Sequence, residues 1–161
     1  MFYVEIKRIF NMKAIFSFFL LIAFQLLGCE KSRLDQQVRV MCEKDGGLKV
    51  YEAIRLPSEK FNQWGQPNFF KPTQGEDALG AEYIFQREIH FYQKGNPSMS
   101  RESFKVIRKS DGKLLGESVI YGRGGGDIPG PWHGSSFTCP PEREAGVTTL
   151  LSRIFVKEKG E

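Results

Sequence analysis

Strands and a tight turn are predicted by residues 82–121, which read EYIFQREIHFYQKGNPSMSRESFKVIRKSDGKLLGESVIY. In residues 82–94 apolar and polar side chains alternate, which is the period of a β-strand. Gly95-Asn96-Pro97 ends this strand. The alternation places four large side chains on one side of it: Tyr83, Phe85, Ile89 and Phe91.

A β-hairpin is predicted immediately after this strand. Residues 102–109 and 113–121 are two β segments separated by Ser110-Asp111-Gly112. An Asp-Gly pair is typical of a tight hairpin turn because it tolerates positive φ. The three strands therefore indicate an antiparallel sheet.

Shorter elements are predicted upstream of residue 82. Residues 32–44 favour a helix ended by Gly46-Gly47, with a strand over 38–42 as the alternative. Residues 48–56 alternate and are predicted to form a strand. One helical turn is predicted to begin at Ser58. Residues 65–80 are predicted to form a long loop.

Downstream, residues 122–134 contain six glycines and two prolines and are predicted to form an irregular loop. Residues 147–155 place apolar side chains at helical spacing, with a terminal strand as the alternative. The whole pattern predicts a small single α+β domain: an antiparallel sheet of about four strands with one or two helices packed on one face.

The N-terminus has the order of a secretory signal. Lys7, Arg8 and Lys13 precede an uncharged apolar run at 14–28. That run is shorter than the roughly 20 residues needed to span a membrane. An uncleaved anchor or a buried helix is the alternative, and Met12 is a second candidate start.

The run ends in Leu26-Leu27-Gly28-Cys29, which resembles the lipobox of bacterial lipoproteins. The resemblance implies that signal peptidase II removes residues 1–28, that Cys29 carries lipid (diacylglyceryl and palmitate), and that residues 29–161 form a periplasmic domain anchored in a membrane without spanning it. Glu30, in place of an aspartate after the cysteine, implies the outer rather than the inner membrane. Residues 29–161 resemble small envelope lipoproteins.

Charge and composition exclude some classes of function. The chain has 161 residues and a net charge of +4, and residues 1–28 carry three cations and one anion, so residues 29–161 keep +2. No cluster of Lys and Arg interleaved with aromatics occurs there, so nucleic-acid binding is not expected. We expect instead that the chain has a protein partner in the envelope.

The chain has three cysteines, an odd number for an exported protein. Acylation of Cys29 leaves Cys42 and Cys139, which we expect to form a disulfide in an oxidising compartment. A catalytic cysteine and a structural zinc are weaker readings, since no CxxC or HxxxH spacing occurs. No metal or other cofactor is expected.

Two candidate sites emerge. Aromatic and basic side chains in the loop-rich regions suggest a binding surface, with packing of the aromatics beneath the loops as the alternative. They are Trp64, Phe69, Phe70, Arg123, Trp132 and His133. A hydrolytic site would need His90, His133 and Asp127 to meet. The glycine run 122–127 does not match a phosphate-loop pattern, and the chain has neither a nucleophile elbow nor HExxH.

The leading hypothesis is a non-enzymatic, lipid-anchored envelope protein that binds or supports another envelope component. The alternatives are a small hydrolase or ligand-modifying enzyme using His90, His133 and Asp127, and an inhibitor or exclusion lipoprotein.

Overall fold

The computed structural model describes residues 30–127, 130 and 133–158. The signal segment, Cys29 and Trp132 lie outside this part of the chain. In chain order the elements are α1 (30–45), β1 (Gly47–Val50), β2 (Ile54–Leu56), β3 (Tyr83–Gln93), β4 (Ser98–Arg108), β5 (Leu114–Gly124), β6 (Ser136–Cys139), α2 (Glu142–Ala145), α3 (Val147–Ile154) and β7 (Phe155–Lys157), with 3₁₀ segments at Ser58–Lys60 and Pro72–Asp77.

The main sheet has five antiparallel strands, two of which lie end to end along the same neighbouring strand. Its order is β1-β5-β4-β3, and β6 also pairs with β5. β1 pairs with Gly116 to Val119 and β6 with Tyr121 to Gly124, so both lie along one edge of β5. β2 and β7 form a separate parallel pair. The predicted α+β class is confirmed.

The predicted hairpin joins β4 and β5. Gly112 has a φ of +68°, which a residue without Cβ adopts at little cost. The Lys113 N–H donates to Asp111 Oδ1 at 3.1 Å. The side chain of Asp111 therefore closes the turn that the Asp-Gly pair predicts.

β6 and α2 were not predicted from the sequence, and β4 begins at Ser98 rather than at 102. Two further differences lie beside β5. Residues 48–56 form two short strands rather than one, because the N–H groups of Tyr51 and Glu52 both donate to Leu115 O and the chain then leaves β5. At the other end of β5, Gly122, Arg123 and Gly124 continue the strand instead of starting a loop. Their glycines carry no alternating pattern, but β4 and β6 pair with them from both sides.

The C-terminal segment contains both predicted alternatives in succession. The helix α3 ends at Ile154, and Phe155 begins the strand β7. The predicted helix over 32–44 is also present, as α1.

One face of the main sheet, which we term the α3 face, is covered by α2 and α3. Ser118 Oγ donates a hydrogen bond to Ala145 O, and Ile120 packs in one cluster with Leu150 and Ile154. This cluster is the larger part of the core.

The opposite face, termed the α1 face, is covered by α1. Leu34 and Val38 of this helix pack with Met99, Val119 and Tyr121. Helices thus lie on both faces of the sheet, whereas the sequence led us to expect them on one. The burial of β5 agrees with helices on both faces, since odd-numbered and even-numbered residues of this strand are both buried.

The predicted disulfide between Cys42 and Cys139 is present, with a sequence separation of 97 residues. It joins the last turns of α1 to β6, the strand that pairs with β5. The helix α1 is therefore covalently attached to the sheet that it covers.

Candidate functional site

The edge strand β3 begins with buried residues and continues with exposed ones. Tyr83 and Phe85 are 7% exposed, whereas every residue of 86–92 is exposed, including Ile89 at 45%, Phe91 at 47% and Tyr92 at 46%. Three large apolar side chains on seven consecutive exposed residues are unusual for a single strand. We term residues 86–92 the exposed β3 segment.

The backbone of this segment is paired on one side only. β4 pairs with it from Gln86 to Phe91. Among the described residues, none outside β4 makes a backbone hydrogen bond with 86–92. Within the described part of the chain, the outer edge therefore presents free N–H and C=O groups.

The segment is exposed because the helices on the α3 face stop short of it. Phe91 lies in a row across the sheet with Ser100, Gly122 and Thr138, which are all small. Phe85 lies in the row with Val106 and Gly116, and Ile154 of α3 packs directly against Gly116. The same alternating pattern is thus buried at one end of β3 and exposed at the other.

On the α1 face, the apolar surface continues into a groove between α1 and the end of β3. This groove has a volume of about 500 Å³. Its apolar lining includes Val40, which is 55% exposed, and Tyr92. The remaining lining residues are Arg33, Leu34, Gln36, Gln37, Met41, Gln93 and Met99. Apolar side chains therefore lie on both faces of the exposed edge.

Polar groups alternate with these apolar ones. On the α3 face, Arg87 donates a hydrogen bond to Glu102 Oε1. On the α1 face, Glu88 and His90 are exposed, and the His90 ring packs edge-on to Tyr92 at 4.7 Å between centroids. A ligand that pairs with this edge would meet apolar and hydrogen-bonding groups in alternation.

Arg123, one of the predicted surface residues, is buried instead. Its side chain is 2% exposed, and its Nε lies 2.8 Å from Asp35 Oδ1 of α1. Its Nη1 also donates to the carbonyls of Gly125 and Ser135. This guanidinium therefore fastens the glycine-rich loop to α1 rather than facing a ligand.

Asp127 makes a second connection between the same loop and α1. Its carboxylate accepts hydrogen bonds from Lys31 Nζ and from the N–H and hydroxyl of Ser135. The bond from Lys31 is the main reason that the pKa of Asp127 is lowered to about 2.

At the far end of α1, the Tyr121 hydroxyl donates a hydrogen bond to Asp45 Oδ1 at 2.7 Å. Burial of Tyr121 raises the pKa of its hydroxyl.

The structure separates the aromatic residues that the sequence suggested as one surface. Trp64 is 74% exposed. Phe69 packs edge-on against Phe155 at 5.3 Å, and Phe70 against Phe85 at 5.4 Å, both between ring centroids. These two phenylalanines anchor their loop to the core, and Trp64 stands apart from them.

No hydrogen bond links the groups of the hydrolase alternative in the described part of the chain. His90 lies within β3 and His133 is exposed in the loop before β6. The hydrogen-bond partners of Asp127 are Lys31 and Ser135, not a histidine. Residues 30–127, 130 and 133–158 also contain no group of three or more His, Cys, Asp or Glu placed to hold a metal ion.

The sequence did not single out the exposed β3 segment as a site, because Ile89 and Phe91 share the alternation of the buried Phe85. One signal was present in the sequence: the charged Arg87 falls on the same side as Phe85 and Phe91, and the aromatic Tyr92 falls on the same side as Glu88 and His90. Such two-sided mixing is typical of an edge strand rather than of a central one.

Comparisons with protein-family models, with curated proteins and with solved structures found no match to this chain. Across the described residues, every helix is too short or too polar to cross a bilayer.

Proposed function

We propose that this chain is a non-enzymatic, lipid-anchored protein of the bacterial envelope that binds a polypeptide partner by strand addition to the exposed β3 segment. The observation that carries the proposal is the outer edge of residues 86–92, which no other described residue pairs with, together with three half-exposed apolar side chains. Soluble proteins often cover such an edge with another element, and none of the described residues pairs with this one.

Strand addition uses both features of this edge. The partner's main chain would pair with the free N–H and C=O groups, which supplies affinity, and pockets on either side of the strand select side chains. Partner side chains on one face would contact Ile89 and Phe91, and those on the other would reach toward the groove beside Tyr92. The expected partner is an extended segment with apolar residues at alternate positions.

The proposed lipid anchor suits this role. Glu30, the residue after Cys29, is part of α1. Lys31 and Asp35, in its first turns, are held to the domain by Asp127 and Arg123. A lipid on Cys29 would therefore keep the domain close to the bilayer, and confinement to a surface raises the effective concentration of partners anchored there.

The anchor is tested by replacing Cys29. We expect Cys29→Ser to abolish labelling with a radioactive or alkyne fatty acid and to prevent cleavage before residue 29. Cys42→Ser is the matched control, which removes a cysteine without affecting labelling. Labelling of Cys29→Ser at the level of the unchanged chain would contradict the anchor.

The binding edge is tested in cells with a photo-crosslinking amino acid at Phe91 or, as a matched exposed aromatic, at Trp64. We expect a discrete adduct from position 91 and none from position 64. Adding Ile89→Lys should remove the adduct, because a lysine on an edge strand opposes pairing. An adduct from position 64 alone, or one from position 91 that survives Ile89→Lys, would contradict the proposed edge.

A further inference from the structure

We propose that the partner of the exposed β3 segment is a second copy of this chain, paired antiparallel about a two-fold axis through Ile89. This inference rests on the proposed function of the segment and names its partner. It follows from the order of charged, apolar and aromatic residues along 86–92, which complements itself in one register.

The symmetry limits how two copies of β3 can pair. Two identical edges pair in an antiparallel, isologous manner when the two-fold axis is perpendicular to the sheet. This rotation reverses the strand and keeps each face on its own side, so opposed residues come from the same face. The axis must therefore lie midway between the two copies of one residue, and we name each register by that residue.

An axis through Ile89 gives complementary neighbours. Glu88 then lies opposite His90 of the second copy, so an imidazole N–H can donate to a carboxylate on the α1 face. Arg87 lies opposite Phe91, where a guanidinium can pack on the ring. Ile89 lies opposite Ile89, and each of these contacts except the central one occurs twice.

The neighbouring registers are less favourable. An axis through Glu88 opposes the two Glu88 side chains, and an axis through Arg87 opposes the two Arg87 side chains. Like charges directly opposite each other destabilise a sheet. An axis through His90 would need Gln93, which lies beyond the irregularity after Phe91 and already bonds Glu30 and Pro97.

The resulting pair has a consistent outer shape. The α3 faces of the two copies join, so Phe91 and Ile89 of both copies form one apolar stripe across the axis. The two α1 helices lie together on the other face. The first turns of α1 in both copies are thus on one side of the joined sheet, which suits two chains anchored in one membrane.

The paired segment is short. Seven residues of strand extend roughly 23 Å. A contact of this length buries less surface than the roughly 1,600 Å² that is standard for stable complexes. Association is therefore expected mainly when both copies are confined to one membrane surface. For this reason the test uses the full chain in the cell envelope.

The test is disulfide trapping. Directly opposed residues on neighbouring strands have Cβ atoms about 4.5–5.5 Å apart, so Ile89→Cys should form a covalent dimer under mild oxidation. Gln86→Cys is the matched control: the two copies of residue 86 would be six residues apart along the strand, roughly 20 Å. We expect at least tenfold more dimer from Ile89→Cys than from Gln86→Cys.

A charge exchange tests the register. In the Ile89→Cys background, Glu88→Lys should lower the dimer yield several-fold, and Glu88→Lys with His90→Glu should restore it. Formation of the Cys42–Cys139 bridge reports that each variant is folded. Equal trapping at 86 and 89, no trapping at 89, or stronger trapping of His90→Cys than of Ile89→Cys would overturn the proposed pair.

The crosslinker at Phe91 separates the two proposals. An adduct of twice the chain mass agrees with the second copy. An adduct with another protein, together with no trapping of Ile89→Cys, overturns the second copy and leaves the binding edge standing. No adduct and no trapping overturn both.

Discussion

At the scale of single residues, the most informative side chain is Arg123. The sequence placed it in a glycine-rich loop and suggested a surface role. The structure buries it between α1 and the loop, where Asp35 and two carbonyls satisfy its donors. The segment is thus ordered despite its glycines: Gly122 to Gly124 belong to β5, and the carbonyl of Gly125 accepts a hydrogen bond from the guanidinium.

Removing this guanidinium should destabilise the domain. We expect Arg123→Met to lower the free energy of unfolding by about 3 kcal/mol, since it leaves Asp35 and two carbonyls without their donor. Urea denaturation followed by circular dichroism measures this loss. Arg143→Met, at a side chain 82% exposed, is the control and should change stability by less than about 0.5 kcal/mol. Equal effects of the two variants would contradict the structural role of Arg123.

Asp127 should make stability depend on pH in the acid range. Its folded-state pKa is lowered to about 2, mainly by Lys31, below the ordinary value near 3.9. The folded state therefore binds fewer protons between these values, so the stabilisation is complete above about pH 4 and is lost as pH falls through about 2.

The comparison that tests this is Asp127→Asn against the unchanged chain, in urea at pH 6, 4 and 2.5. We expect Asp127→Asn to be less stable at pH 6 and the difference to shrink toward pH 2.5. Asp77→Asn, at a side chain 75% exposed, should have little effect at any of them. A difference between Asp127→Asn and the unchanged chain that stays constant with pH would argue against this role.

At the scale of elements, β5 shows how one strand serves two environments. Gly116 and Gly122 lie on the same face of this strand. A Cβ at Gly116 would lie 2.9 Å from both Ile154 Cδ1 and Lys49 O, whereas at Gly122 the nearest atom is Thr138 Cγ2 at 3.7 Å. The absence of a side chain at Gly116 lets α3 pack against the sheet.

The same substitution at these two glycines should therefore have different outcomes. We expect Gly116→Ala to lower the free energy of unfolding by about 1–3 kcal/mol through overpacking. Gly122→Ala should be neutral or slightly stabilising, since it meets only ordinary contacts and reduces the freedom of the unfolded chain. Thermal and urea denaturation of both variants measure the difference. A loss at Gly122→Ala as large as at Gly116→Ala would contradict the close packing of α3.

Elements with a local signal were predicted correctly. The hairpin between β4 and β5 follows from Asp111-Gly112, and α1 and α3 follow from apolar spacing. The division of residues 48–56 into β1 and β2 was missed, because it depends on Leu115 O accepting two hydrogen bonds from a distant part of the chain. The strand character of Gly122 to Gly124 was missed for the same kind of reason, since their pairing partners define them.

At the scale of the whole molecule, the Cys42–Cys139 bridge joins α1 to β6 of the main sheet. Closing a loop of this length removes much of the freedom of the unfolded chain. We expect Cys42→Ala with Cys139→Ala to lower the free energy of unfolding by about 2–4 kcal/mol, as measured by urea denaturation.

Reduction of the unchanged chain with dithiothreitol is the control for this variant and should produce a loss of similar size. If neither treatment moved the denaturation midpoint, the bridge would add nothing to stability and its role in fastening α1 would have to be abandoned.

The exposed β3 segment is also a property of the whole molecule. Its existence depends on where α2 and α3 end on one face and where α1 lies on the other. The candidate site could therefore be predicted from the sequence only as a strand, not as a surface. The aromatic surface suggested by the sequence is dispersed by the same packing, since Phe69 and Phe70 contact the core while Trp64 does not.

The sequence by itself determined the α+β class, the hairpin, the helices α1 and α3 and the pairing of the two domain cysteines, because periodic spacing, turn residues and cysteine count are local or additive properties. Tertiary structure alone decided that helices cover both faces of the sheet, that β1 and β6 share one edge of β5, and that β3 is buried at Phe85 and exposed at Phe91. The physical reason is that alternation gives a strand two faces, but burial of either face requires an element contributed by a distant part of the chain.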